Sequence, residues 1–176
     1  MAMKKTLCVL MLAFSASSLA APVTSSRLAE LINQRLGYMQ AVAADKARTH
    51  KAVEDLAQEQ QVLARTAQRA VELGLDGESV KPFIQAQMDA AKAIQYRYRA
   101  DWLAQPDTAL PNLSLAEVRE KISSLSDAVL TQTAQLLKQK SPPDKAQFLA
   151  HLQQTHLSTA DKLHIWQALG EVKLAQ

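Results

Sequence analysis

Cysteine, glycine and proline are scarce in this 176-residue chain, and each scarcity excludes a class of structure. The single cysteine, Cys8, has no partner in the chain for a disulfide, so a disulfide-stabilised scaffold is excluded. The four glycines and six prolines leave few turn-forming residues, and no segment alternates apolar and polar residues as a half-buried strand does. Helix is therefore the structure expected throughout.

The sequence also lacks the residue patterns of metal binding and covalent catalysis. The four histidines do not pair at the spacing that puts two metal ligands on one helical face; they are His50, His151, His156 and His164. No glycine-rich phosphate loop, nucleophile elbow or Cys/His arrangement is present. We therefore predict no metal, no cofactor and no covalent intermediate.

The first 20 residues have the three parts of a secretory signal peptide. Lys4 and Lys5 form a positive end, an apolar stretch runs from Leu7 to Phe14, and small residues lead to Ala20. The alternatives are a membrane anchor or an ordinary first helix. The apolar stretch is much shorter than the roughly 20 residues that span a bilayer, so we predict cleavage and a periplasmic or secreted protein.

Cleavage after Ala20 is favoured over cleavage after Ala21, because the latter would place Pro22 at the scissile bond. The mature domain, 21–176, then has 156 residues, enough for a hydrophobic core, and has lost Cys8. It keeps 18 basic residues against 17 acidic ones. This balance gives no support to a nucleic-acid partner, and no membrane association is expected after processing.

Apolar residues recur at three- and four-residue steps, as in amphipathic helices. The predicted helices run from about Ser26 to His50, from about Glu54 to Leu73, and from after Gly77 to about Leu103. A loop follows, and a fourth helix begins after Ser114.

Two capping boxes mark later helix starts: Ser114 with Glu117, and Ser158 with Asp161. A Ser-Pro-Pro-Asp segment at 141–144 ends the fourth helix. The expected fold is a single-domain all-α bundle of five or six helices.

Arg35 and Lys46 are eleven residues apart on the first predicted helix. At 100° per residue they lie within about 20° of one another, so both cations face the same way. The alternative is that each is an exposed charge beside an acid such as Glu30 or Asp45. Spacing alone does not decide between the two.

A wider pattern extends this arrangement in order along the chain, from about Leu28 to Leu125. Its parts are Arg35-Leu36, Val42 to Lys46, Val53-Glu54-Asp55, Gln58-Glu59-Gln60, Met88 to Tyr98, and Trp102. Together they resemble the exported, all-helical chorismate mutases. The stretch from Ala93 to Tyr98 is the most specific part, and beyond Leu125 only helical character can be compared.

The resemblance implies conversion of chorismate to prephenate by an intramolecular [3,3] rearrangement, without cofactor, in what is expected to be a homodimer. By resemblance, Arg35 and Arg119 would hold the two carboxylates of the dianionic substrate through forked, charge-assisted bonds. Lys46 and Gln95 would donate to the ether oxygen, on which negative charge develops.

Glu59, with the backbone near Asp55, would receive the ring hydroxyl of the substrate. Two positions depart from the family pattern. Gln58 stands where the family usually carries an arginine, and Ala91 stands where a serine or threonine commonly contacts a carboxylate.

These departures leave several alternatives open. The protein is a slow mutase, or another arginine such as Arg65 or Arg69 leans into the site, or the chain is a non-catalytic helical binding or interaction protein that keeps the fold. The retained set of Arg35, Lys46, Glu59, Gln95 and Arg119 favours the enzyme.

Overall fold

The computed structural model describes residues 23–105, 111, 113–139 and 142–176. The predicted signal peptide, most of the loop after Gln105 and Ser141 lie outside the described residues. The helices are α1 (Ser25–Gly37), α2 (Met39–Arg48), α3 (Leu56–Glu72), α4 (Gly77–Ala104), α5 (Leu115–Lys138), α6 (Lys145–Ala150) and α7 (Thr159–Leu169). The described residues contain no strand, only an isolated bridge between Leu75 and Leu174.

The all-α prediction is confirmed, with six helices when α1 and α2 are counted as the one helix predicted there. Within the described ranges, no helix is both long and apolar enough to cross a membrane.

The predicted single helix from Ser26 to His50 is wrong, because Tyr38 separates α1 from α2. Tyr38 keeps a right-handed backbone, with φ −79° and ψ −7°, so the break is slight. Gly37 precedes it, and glycine weakens a helix because it loses the most backbone entropy. A Cβ on Gly37 would lie 3.1 Å from the Gln154 side-chain amide, so the crossing of the C-terminal segment favours glycine there.

The turn after α3 forms where the sequence predicted it. Gly74 takes a left-handed φ of +83°, which glycine adopts without steric cost. Asp76 then caps α4 by accepting from the backbone N–H groups of Glu78 and Ser79, both at 2.9 Å. The turn therefore reverses the chain, and α4 returns alongside α3.

The two predicted capping boxes differ in outcome. Ser158 accepts from the Asp161 N–H at 3.2 Å and the Asp161 carboxylate accepts from the Ser158 N–H at 2.8 Å, so this box is confirmed. Ser114 is the residue before α5, but its side chain makes no cap hydrogen bond, so the other box is wrong. Ser114 and Glu117 are both exposed, a setting in which solvent can replace the cap for the first-turn N–H groups.

Helix α4 is at the centre of the bundle and packs against α2, α3 and α7, while α1 packs mainly against α5. It is parallel to the α1–α2 pair and antiparallel to α3, as cross-helix contacts along its length show. The largest fully buried side chains are Phe83, Phe148, Leu28, Ile32, Leu36, Leu75, Ile94, Leu152 and Ile165, with Val80 and Thr133.

The C-terminal segment holds α4 near both of its ends. Towards the C-terminal end of α4, Arg97 donates to the Asp161 carboxylate at 2.5 Å. At the N-terminal end, the Asp76 N–H donates to the Lys173 carbonyl at 2.9 Å. The last helix is therefore part of the frame that fixes α4.

Candidate active site

Arg35 is a buried cation in the middle of the bundle, with 8% of its surface exposed. Its Nε donates to the Ser126 hydroxyl on α5 at 3.0 Å, but its Nη1 has no hydrogen-bond partner among the described residues. Burial lowers the pKa of Arg35 to about 10, so the guanidinium stays charged at neutral pH. A void of about 20 Å³ beside it is also lined by Thr66 and Gln87.

Gln95 lies two turns further along the same face of α4 as Gln87, and it is also buried. Its Nε2 donates to the Ala91 carbonyl at 3.2 Å and contacts the Met39 sulfur at 3.6 Å. Thioether sulfur is a weak acceptor, so one N–H of the amide is nearly free. The Gln95 Oε1 is buried and has no partner within the described part of the chain.

Lys46 lies on α2, near the end of the bundle where α3 begins. Its Nζ donates to the Val53 carbonyl at 2.5 Å. Burial lowers the pKa of Lys46 and is the largest cause of the shift, with nearby charges acting in both directions. Those charges are the carboxylates of Asp55 and Glu59, which raise the pKa, and the guanidinium groups of Arg119 and Arg99, which lower it.

Glu59 is in the first turn of α3 and has both carboxylate oxygens engaged. One accepts from the Asp55 N–H at 3.3 Å, and the other accepts from Lys92 Nζ on α4 at 2.8 Å. The Glu59 and Lys92 side chains are 18% and 19% exposed, so this ion pair is largely shielded from water.

Four different helices therefore each supply one of these polar side chains. Arg35, Lys46, Glu59 and Gln95 come from α1, α2, α3 and α4. Arg119 on α5 is exposed but close enough to act on the charge of Lys46.

The other predicted positions, Gln58, Ala91 and Asp55, do not supply a buried polar side chain. Gln58 is exposed, and its backbone N–H donates to the Asp55 cap at 3.1 Å. Ala91 is buried next to Gln95 and presents only a methyl group. Asp55 is itself exposed and serves as the N-cap of α3.

Arg65 and Arg69, which could have replaced the arginine missing at position 58, have other partners. Arg69 pairs with Asp127 at 2.5 Å and with Glu72 at 2.8 Å. Arg65 is exposed and donates weakly to the Gln61 carbonyl at 3.4 Å.

Sequence reasoning missed Lys92 and Arg99. Both lie near Gln95 at helical spacing, three residues before it and four after it, and that spacing was the available signal. Arg99 donates to the Lys51 carbonyl at 3.2 Å, and Lys51 follows α2.

A larger cleft of about 590 Å³ is lined by none of these side chains. Its lining includes Gln34, Tyr38, Leu125 and a single charged side chain, Lys121. One cation does not match a doubly charged ligand.

Comparison with known proteins identifies the family. The chain is 46% identical over 149 residues to a secreted chorismate mutase of Yersinia pestis, an alignment covering 83% of this chain and 80% of the relative. The protein belongs to the chorismate mutase family. Residues 25–96 match the family model of chorismate mutase type II, which spans α1 to most of α4.

Two further comparisons extend the match beyond those helices. A monofunctional chorismate mutase of Enterobacter agglomerans is 42% identical over 153 residues, covering 86% of this chain and 84% of the relative. The crystal structure of the secreted Yersinia pestis chorismate mutase superposes with a TM-score of 0.81, covering 84% of this chain and 97% of the crystallised one. The chorismate mutase fold therefore includes the C-terminal helices.

Proposed function

We propose that this chorismate mutase converts chorismate to prephenate in the interior formed by α1 to α5, without cofactor or covalent intermediate. The observation that carries the proposal is the pair of buried, unpartnered polar atoms, Arg35 Nη1 and Gln95 Oε1, among the described residues. Buried polar groups are almost always paired, so unpaired ones need an explanation, and a catalytic role is one.

Arg35 and Arg119 bind the two carboxylates of the substrate. The free Nη1 of Arg35 is a donor already desolvated by the fold, so it needs no rearrangement to bond a carboxylate. Arg119 is exposed, so it reaches the other carboxylate from the entrance of the site.

Lys46 and Gln95 stabilise the transition state. When the ether bond breaks, negative charge grows on its oxygen, and donors already aimed at that oxygen lower the barrier. The Gln95 N–H that rests against the Met39 sulfur loses little by turning to an anionic oxygen. Lys46 exchanges its bond to the Val53 carbonyl for a bond to the same oxygen.

Glu59 and the backbone near Asp55 bind the ring hydroxyl of the substrate. Together with the arginines, they hold the flexible enolpyruvyl group over the ring, and this positioning supplies the entropic part of the acceleration.

Export and dimer formation complete the proposal. Cleavage after Ala20 releases the mature chain outside the cytoplasm, which N-terminal sequencing of the purified protein tests. Tyr96 and Leu103 are exposed apolar residues seven positions apart on α4, and they support a homodimer contact. Light scattering measures the molar mass in solution, and Leu103→Lys should shift the wild-type dimer towards the monomer.

The decisive experiment follows the ultraviolet absorbance of chorismate with purified mature protein. We expect conversion by the wild type, and a loss of about 100- to 1000-fold in Lys46→Ala, the usual cost of removing one donor aimed at a developing negative charge. Lys81→Ala is the matched control, because Lys81 also lies on α4 and forms an ion pair there with Glu78. Tight chorismate binding without conversion would instead identify a non-catalytic binding protein.

A further inference from the structure

Lys92 makes the main ion pair between α3 and α4, and no catalytic role has been given to it above. Its Nζ lies 2.8 Å from one oxygen of Glu59 and 3.2 Å from the Asp89 carboxylate. The Glu59 contact joins residues 33 positions apart and is shielded, whereas Asp89 is 41% exposed and only three positions away. The pair with Glu59 is therefore the one set by tertiary structure.

Glu59 creates an electrostatic problem in a site for a dianion. Its carboxylate is close enough to act on the charge of Lys46. A carboxylate without another partner would attract Lys46 and would also repel the substrate, since Coulomb interactions are strong in a partly buried site. The site needs Glu59 as a hydrogen-bonding group but not its free negative charge.

We propose that Lys92 is a positioning residue of the mutase: it neutralises and orients Glu59, and thereby leaves Lys46 free to bond the ether oxygen. This inference rests on the proposed function. The Asp55 N–H fixes the second Glu59 oxygen, so the carboxylate is held from both sides.

The arrangement also bears on the departure at Gln58. That side chain is a neutral, exposed amide next to Glu59 in sequence, so α3 brings no cation to this end of the site. Lys92 brings one from α4 instead. Adding a cation with Gln58→Arg is therefore expected to help the protein only when Lys92 has been removed.

The first test compares kinetics in Lys92→Met and Lys92→Arg, with Lys81→Met as control. Lys81 makes a similar lysine–glutamate pair on the same helix, with Glu78 at 2.6 Å, away from the site. We expect kcat/KM to fall roughly 10- to 100-fold in Lys92→Met, the worth of one charge-assisted bond. Lys92→Arg should keep most activity, Lys81→Met should keep all of it, and Gln58→Arg should recover part of the loss in the Lys92→Met background.

The second test does not depend on activity. The pKa of Lys46 can be followed by NMR of its ε-carbon, and it should rise in Lys92→Met because Glu59 turns towards Lys46. The other charges that act on Lys46 are Asp55, Arg99 and Arg119, and they are unchanged by this substitution.

Failure of the inference is distinguishable from failure of the proposed function. A wild type that does not convert chorismate overturns the function. An active wild type whose Lys92→Met variant matches Lys81→Met in kcat/KM and leaves the Lys46 titration unmoved overturns the role of Lys92. Melting followed by circular dichroism shows whether each variant is folded.

Discussion

Arg35 holds a charge at a place where an apolar side chain would be more stable. Its Nη1 is buried without a partner among the described residues, and its lowered pKa shows that burial disfavours the charged form. An unsatisfied buried donor costs about 1 to 3 kcal/mol. Ser126 would lose little with Arg35, because its hydroxyl still donates to the Ile122 carbonyl at 2.8 Å.

We therefore expect Arg35→Met to raise the free energy of unfolding by about 1 to 3 kcal/mol while reducing kcat/KM at least about 100-fold. Urea denaturation and the absorbance assay measure the two effects. An unstable but active Arg35→Met variant would mean that the guanidinium serves packing and not the substrate.

The proposed role of Gln95 as a hydrogen-bond donor predicts how the catalytic rate depends on pH. An amide donates at any pH, so the wild-type rate should be flat between about pH 5 and 8, whereas burial lowers the pKa of Lys46. The rate should therefore fall on the alkaline side earlier than an ordinary lysine would dictate, because Lys46 must be protonated to act.

In Gln95→Glu the carboxyl group donates only while protonated, so the rate should fall as pH rises through its pKa. The pH profile of kcat for both proteins is the measurement. A wild type that already loses activity between pH 5 and 8 would show that Gln95 is not the donor.

The sequence predicted from spacing that Arg35 and Lys46 face the same way, and it suggested Glu59 and Gln95 only through the resemblance to the chorismate mutases. It did not predict Lys92 at Glu59, because pairing across α3 and α4 depends on the register of two helices joined by a turn. Helical periodicity determines direction around one axis only.

At the scale of the element, the two serine caps provide a matched pair. Ser158 makes a complete capping box at α7, and Ser114 makes no cap hydrogen bond at α5. Ser158→Ala should lower the free energy of unfolding by about 1 kcal/mol, the usual worth of a cap. Ser114→Ala should change it by a few tenths at most. Equal losses in thermal or urea unfolding would contradict the difference between the two caps.

Helix boundaries were predicted best where a residue type dictates the backbone. Gly74 and Asp76 fixed the turn between α3 and α4, as expected. The break at Tyr38 was missed because apolar spacing continues across it. The short α6 was missed because six residues carry too little periodicity, although Asp144 caps it by accepting from the Gln147 N–H at 3.0 Å.

For the whole molecule, composition was enough to predict an all-α fold, because so few residues favour turns or strands. It was not enough to predict how the C-terminal third packs. Phe148 and Leu152 are fully buried and Trp166 packs against Phe148, with ring centroids 5.3 Å apart. Such contacts depend on the three-dimensional path of the chain, which apolar spacing does not encode.

The attachment of α4 near both ends has a consequence for motion. The Arg97–Asp161 ion pair and the Asp76–Lys173 hydrogen bond restrain α4 near its two ends. Gln95 lies between these two contacts. Hydrogen exchange should therefore be slowest in the middle of α4 and fast in the exposed first turns of α5, which carry Arg119. Mass spectrometry of exchanged peptides measures this, and equal exchange in the two helices would contradict it. If the pattern holds, chorismate enters through movement of α5, while the amide that meets the breaking bond stays still.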